Sequence, residues 1–341
     1  MQFHLMDNAI DSLKFGMLHY KRFLDNSGKF SLDINEYFSD LKFSTVAFHN
    51  AVELFTKQIL YDVNELLIFN VDVTKDKIIS DLLYQKYIEN SKASHLDFWL
   101  VGQVDTTYKT IDYNRSIEIL KSIFRTELTQ EDYETLDSLG KKRNCMTHLG
   151  YWDDFGWYKV MITLNDTIAL IGKFYNINIK KSDRYFEPKI LNELKCLKEY
   201  ADKAIIEQWL ASNEHQLIPL YDYLQDFFEK KMDSCIFNID ENSLELKDFS
   251  FKVNKMSKKL VAKVLPRKDA LLFIDGDKIC WLINVAKVET ETGSDGKIKI
   301  IEKSVHMYCT KQIMKYDVDM FFSWEKLYPC NTIEFLLNQL S

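Results

Sequence analysis

The sequence predicts an α+β chain: an all-α helical bundle first, then a part in which an antiparallel sheet is joined to helices. Two changes along the chain predict this. Up to about residue 180 apolar residues recur at helical spacing, whereas from about Ser243 the period becomes two. A third observation is the scarcity of Gly (10) and Pro (4), which implies few tight turns and long uninterrupted elements.

The first helix that the pattern defines runs from Asn35 to about Tyr61, with Phe38, Leu41, Val46, Ala47, Leu54, Phe55 and Ile59 on its apolar face. Glu53 and Lys57 form an i,i+4 pair in the favourable order, worth about 0.2–0.5 kcal/mol. Val71 to Asn90 reads as helix, with Ile78, Ile79, Leu82, Leu83 and Tyr87; the stretch HLDFWLVGQVDTTY is less regular, a loop or a short helix. Asn114 can cap a helix carrying Ile117, Ile119, Leu120 and Phe124. Thr129 offers the next cap, with Asp132 standing in for the glutamate of a capping box, and that helix runs through Tyr133, Leu136 and Leu139. A further helix spans about Trp157 to Tyr175.

NINIKKSDRYFEP, ending at Pro188, reads as the domain junction, giving residues 1–180 as a helical bundle and 181–341 as a helical connector plus an antiparallel β-rich domain. Helices are expected at roughly 188–211 and 216–231. SLELKDFSFKV then alternates as a half-buried strand does, and LVAKVL, ALLFI, KICWLINVAKV and KIKIIEKSVHMYC continue the pattern. Asp275-Gly276 and Gly293 to Gly296 are the expected hairpin turns, and Ile333 to Leu340 a closing helix.

Composition bounds the function. A chain of 341 residues suits two domains, and an apolar fraction of 46% is ample for a folded core. The net charge of −7 argues against a bulk nucleic-acid binder but leaves room for a local basic face. The six cysteines are far apart, no CxxC pair occurs, and Cys145 with His148 is the one Cys-x-x-His pair, so neither a metal nor another cofactor is expected. Scattered cysteines, no signal-peptide pattern and no stretch of roughly 20 apolar residues give a soluble, cytoplasmic protein, not a membrane one, as the expectation.

Chemistry concentrates in KKRNCMTHLGYW, residues 141–152, where two long helices meet. Asn144 and His148 are four apart, so on a helix they share a face, and the amide can hold one imidazole nitrogen and fix its tautomer. Arg143 lies about 140° around an ideal helix from His148. One copy therefore closes no tight pocket; two copies across a two-fold axis would interleave both pairs in one cleft.

As RNCMTH, followed by LGYW, these residues resemble the R-N-x-x-x-H signature of the HEPN superfamily, small helical bundles that include many metal-independent ribonucleases. The helix AFHNAVELFTKQIL, with Glu53 and Lys57, resembles the one that packs beside that motif, and the likeness covers about residues 1–180. The resemblance implies a homodimeric endoribonuclease, a toxin or antiviral abortive-infection effector, with Arg143, Asn144 and His148 as catalytic residues and an antitoxin or sensor protein as a possible partner. The pattern departs in one place: Tyr151 comes three residues after His148, where members paired with a modifying antitoxin have tyrosine two after.

For RNA contact the candidates are Lys141, Lys142 and Tyr151, with Trp152 beside it, and, in the second part, Lys255, Lys258 and Lys259 within a run from Phe251 to Lys268 that has no acidic residue. Phe249 and Phe251 beside that run would suit an RNA-facing sheet. Each has a plain structural alternative. Arg143 can pair with Asp153 or Asp154, the lysines can answer a helix dipole or guard a strand edge, and Tyr151 and Trp152 can pack on the next helix. His49, four before Glu53, reads as a second acid–base pair or as a surface or core histidine. Two rival readings of the whole stay open: a catalytically silent HEPN module that binds RNA or a partner protein, and a helical scaffold with a coincidental motif.

Overall fold

The structure, a computed structural model, describes residues 5–26, 34–72, 74–89, 109–149, 157–253, 255–275, 278–309 and 328–329. The chain divides into two compact units, Met1–Asp153 with Val160–Asp202, and Asp154–Lys159 with Lys203–Ser341.

The helical unit is built on a long pair, α1 (Leu5–Asn26) and α2 (Ile34–Val63). Buried residues of α1 recur every three or four positions, Met6, Ile10, Leu13, Met17, Tyr20 and Leu24, as burial of a single helical stripe requires. The pair runs antiparallel: Asn50 Nδ2 donates to Ser12 Oγ at 2.7 Å, while His19 Nδ1 meets Asp40 Oδ1 at 2.5 Å. Gly16 permits the close crossing, because a Cβ there would lie 3.1 Å from the Phe48 ring.

Three shorter helices follow: α3 (Lys77–Tyr87), α4 (Tyr113–Ile123) and α5 (Gln130–Asn144). Each start is set by a side-chain cap. Asp76 accepts from Ile79 N–H, which fixes the first turn of α3 later than the apolar pattern alone suggests. Asp112, rather than the expected Asn114, caps α4, accepting from Arg115 N–H at 2.8 Å. Thr129 and Asp132 form the capping box of α5 in full. α6 (Tyr158–Leu170) runs on as a π turn, Ile171–Tyr175, and two long helices, α7 (Pro188–Ser212) and α8 (Glu214–Lys231), follow. α6 and α7 each contribute residues to both units.

In the second unit the main sheet is antiparallel. Its strands are β1 (Ser234–Asp240), β2 (Glu245–Val253), β3 (Met256–Leu265), β4 (Ala270–Asp275), β5 (Lys278–Asn284), β8 (Met307–Cys309) and β9 (Tyr328–Pro329), adjacent in that order. β6 (Thr290–Thr292) and β7 (Ile298–Ile300) form a separate hairpin, where Gly293 N–H bonds Lys297 O and Gly296 supplies a φ of 75°. The core is aromatic: Trp281 stacks on Phe228 of α8 at 5.4 Å and packs against Phe249, Phe251 and Phe273. Asp269, at a left-handed φ of 47° in the β3–β4 turn, accepts from Tyr158 Oη at 2.8 Å and Trp209 Nε1 at 3.0 Å. That carboxylate ties the first residue of α6 and the last turns of α7 to the sheet within this unit.

The α+β expectation holds, with the sheet after the helices. One expectation on the sheet face does not. Phe249 and Phe251 are buried, so they form core with Trp281 and are unavailable to stack on a base. The fault lies in the period-two pattern, which says that one face of a strand is apolar and leaves open what covers it. The stretch His95–Tyr108, the closing helix at Ile333 to Leu340, and the turn residues Gly276 and Asp277 lie outside the described residues. No helix among the described residues is long and apolar enough to cross a membrane.

Candidate functional site

The motif sits where α5 ends. Lys141, Lys142 and Arg143 occupy the last turn, where the carbonyl end of the helix dipole favours cations. Lys141 Nζ pairs with Asp137 at 2.6 Å on an exposed face, a pair that contributes little by itself. Beyond Asn144 the chain keeps turning but widens into a π turn, Cys145–Leu149. There the hydrogen bonds run five residues rather than four, so His148 is not stacked over Asn144 as ideal α geometry would have it. Thr147 Oγ1 donates to Arg143 O at 2.8 Å.

The asparagine serves the arginine. Arg143 Nη1 donates to Asn144 Oδ1 at 3.0 Å, so the amide oxygen orients the guanidinium rather than a ring nitrogen of His148. Arg143 Nε is buried and has no hydrogen-bond partner among the described residues. A buried donor without a partner is costly, of order 1–3 kcal/mol, and it marks a position where an acceptor would be welcome. His148 is exposed.

Arg143 lines a cleft of about 490 Å³ with residues of α1 and α2, among them Ser12, Phe15, Phe43, His49, Asn50 and Glu53. His49 is 7% exposed, and its ring lies 4.1 Å from that of Tyr113. Tyr113 is held from behind by its hydroxyl, which donates to Leu136 O at 2.8 Å. Gly140, three residues before Arg143, leaves space for it: a Cβ there would come within 3.0 Å of the tyrosine ring. Burial pushes the His49 imidazole down to about 4, with the Arg143 charge adding to the effect and Glu53 opposing it. The ring is therefore neutral at pH 7, with a lone pair to offer.

Glu53 Oε1 accepts from Lys57 Nζ at 2.7 Å, and Lys57 also donates to Thr110 Oγ1 at 3.2 Å. The helical spacing foresees this pair; the near-complete burial of the ammonium comes from the tertiary packing. Among the described residues, no group of three or more His, Cys, Asp or Glu is arranged to hold a metal ion. In chemical terms the cleft offers a guanidinium oriented for an oxyanion, a neutral imidazole, and two carboxylates, Asp11 and Glu53.

The other expected residues lie elsewhere. Lys255, at a left-handed φ of 70° in the β2–β3 turn, and Lys259 on β3 are exposed on the second unit, with Lys258 opposite Phe251 in the ladder. Tyr151 and Trp152, like Asp153 and Asp154, lie outside the described residues. The residue undervalued by sequence reasoning is His49. Its only signal was the four-residue step to Glu53, and nothing local says that Arg143, 94 positions on, shares its cleft. Comparisons with family models, with curated proteins and with solved structures find no match for this chain.

Proposed function

We propose that this chain is a metal-independent endoribonuclease of HEPN type, acting as a toxin or antiviral abortive-infection effector. The observation that carries the reading is Arg143, which lines a cleft with its guanidinium oriented by the neighbouring Asn144 and its buried Nε without a partner among the described residues, five positions before an exposed His148. A planar fork with one edge already fixed is suited to the non-bridging oxygens of a phosphodiester.

In this reading the His148 imidazole removes the proton of an RNA 2′-hydroxyl, and the 2′-oxygen attacks the adjacent phosphorus. Negative charge builds on the phosphorane oxygens, which Arg143 stabilises. The P–O5′ bond breaks, the leaving oxygen takes a proton from a second acid, and the product ends in a 2′,3′-cyclic phosphate. A positioned acid or base contributes roughly 10²–10⁴-fold. The second acid comes from a second copy across a two-fold axis, which makes the active form a homodimer. Lys141 and Lys142 extend the positive charge along the helix end, while Lys255, Lys258 and Lys259 supply RNA contacts on the second unit, whose role is to select the target or receive the trigger.

Expression in cells tests this. Parent chain should arrest growth with fragmentation of RNA, and His148→Ala and Arg143→Ala should each abolish both. In vitro, cleavage should persist in EDTA, leave cyclic-phosphate ends and spare DNA. Growth arrest that survives both substitutions would reject catalysis by this pair and favour a silent module that binds RNA or protein.

A further inference from the structure

The cleft holding Arg143 also has an aromatic lining that phosphate chemistry leaves unused. Phe15 of α1 and Phe43 of α2 both line it, and both are about half exposed, 49% and 48%. Neither ring is loose. Each packs on the same buried imidazole, His19, with centroids 4.3 Å and 5.3 Å away, and His19 is in turn held by Asp40 at 2.5 Å. Small residues, Ser12 and Ala47, line the same concavity. Single exposed phenylalanines on a surface need no explanation. Two of them, fixed by a common support and lining the same cleft as Arg143, whose Nε has no partner among the described residues, form an amphipathic site; Asp11 and Glu53 line it too, with Glu53 paired to Lys57.

We propose that this cleft is a nucleotide subsite that takes one unpaired residue of RNA, its base packed against the rings of both Phe15 and Phe43 and its phosphate on Arg143. The proposal rests on the ribonuclease reading and deepens it by naming which part of the substrate the cleft selects. About 490 Å³ lies within the range of small-molecule sites and accommodates one nucleotide. A base offers a flat apolar face to the rings, and stacking on aromatic side chains is how single strands are held without a sequence code. A base inside a duplex cannot enter a groove between two helices without leaving its stack. Rings already fixed by His19 lose little freedom on binding, which favours affinity.

The test reads binding separately from cleavage. Full-length His148→Ala protein is titrated by fluorescence anisotropy against a labelled unstructured RNA 12-mer and against the same strand annealed to its complement. The single strand should bind more tightly. Phe15→Leu and Phe43→Leu, which keep apolar bulk but lose the ring face, should each weaken it by roughly ten-fold or more, whereas Phe43→Trp should not. Leucine variants that bind as tightly as the parent, a duplex that binds equally well, or absence of RNA binding would overturn the subsite. So would leucine variants that alter the sedimentation coefficient and leave RNA affinity unchanged, which would make this face a self-association surface. Cleavage by the parent chain is measured alongside. Cleavage with indifferent leucine variants rejects the subsite and keeps the ribonuclease; ring-dependent binding without cleavage does the opposite.

Discussion

His49 gives the helical unit a pH dependence whose size follows from its surroundings. Buried against Tyr113 and within the field of Arg143, the imidazole protonates only near pH 4, against an ordinary value of 6.5. Between those values the unfolded chain carries a proton that the folded chain refuses. Stability from this group is therefore complete above about 6.5 and is lost as pH falls towards 4. At ~1.4 kcal/mol per pH unit, the drop from 6.5 to about 4 is worth about 3 kcal/mol. Gln in place of His49 removes the titration while keeping a side chain of similar reach. Urea unfolding followed by circular dichroism, at pH 7.5, 6, 5 and 4.5, measures the difference between the two proteins. Carboxylates titrate in both, so their contribution cancels in that difference. The parent should lose stability faster than His49→Gln on acidification, approaching the ~3 kcal/mol limit at the lowest pH. Parallel slopes from pH 6.5 downwards would refute the reasoning, since they would mean that His49 titrates alike in folded and unfolded chains.

Two further outcomes follow from the same neighbourhood. Gly140→Ala would stabilise an ordinary helix interior by about 1 kcal/mol, but here the new Cβ meets the Tyr113 ring at 3.0 Å, and that ring is pinned by its bond to Leu136 O and by His49. The variant should be less stable than the parent by about 1–2 kcal/mol in urea unfolding, with a shifted His49 imidazole resonance. Glu53→Gln leaves the buried Lys57 ammonium without its counter-charge and should cost about 3–5 kcal/mol, read as a lower thermal midpoint, whereas Glu53→Gln with Lys57→Met should recover much of it.

Much of the architecture was legible residue by residue because its causes are local. Thr129 and Asp132 announce the start of α5, since a cap needs only the side chain and the amide three residues on. The hairpin at Gly293–Gly296 is legible because a positive φ asks for glycine. Glu53 and Lys57 were readable as a pair because helical pitch alone brings them together. The π turn at Cys145–Leu149 was not, for it changes one hydrogen bond per turn and leaves no trace in an apolar pattern. It also altered the partner of Asn144, from the histidine expected on α geometry to the adjacent arginine.

The sequence by itself determined that helices precede the sheet, the capping box of α5, and the presence of an arginine, an asparagine and a histidine at the end of one helix, while it missed α1 and placed the cap of α4 two residues late. Only the tertiary structure decided what those residues face. It set His49, from a different helix, in the cleft of Arg143, and buried Phe249 and Phe251 under Trp281 instead of leaving them on a surface. The reason is physical. Periodicity and capping are short-range consequences of backbone geometry, whereas the burial that silences an imidazole or hides a ring depends on which distant side chains the packed core brings against it.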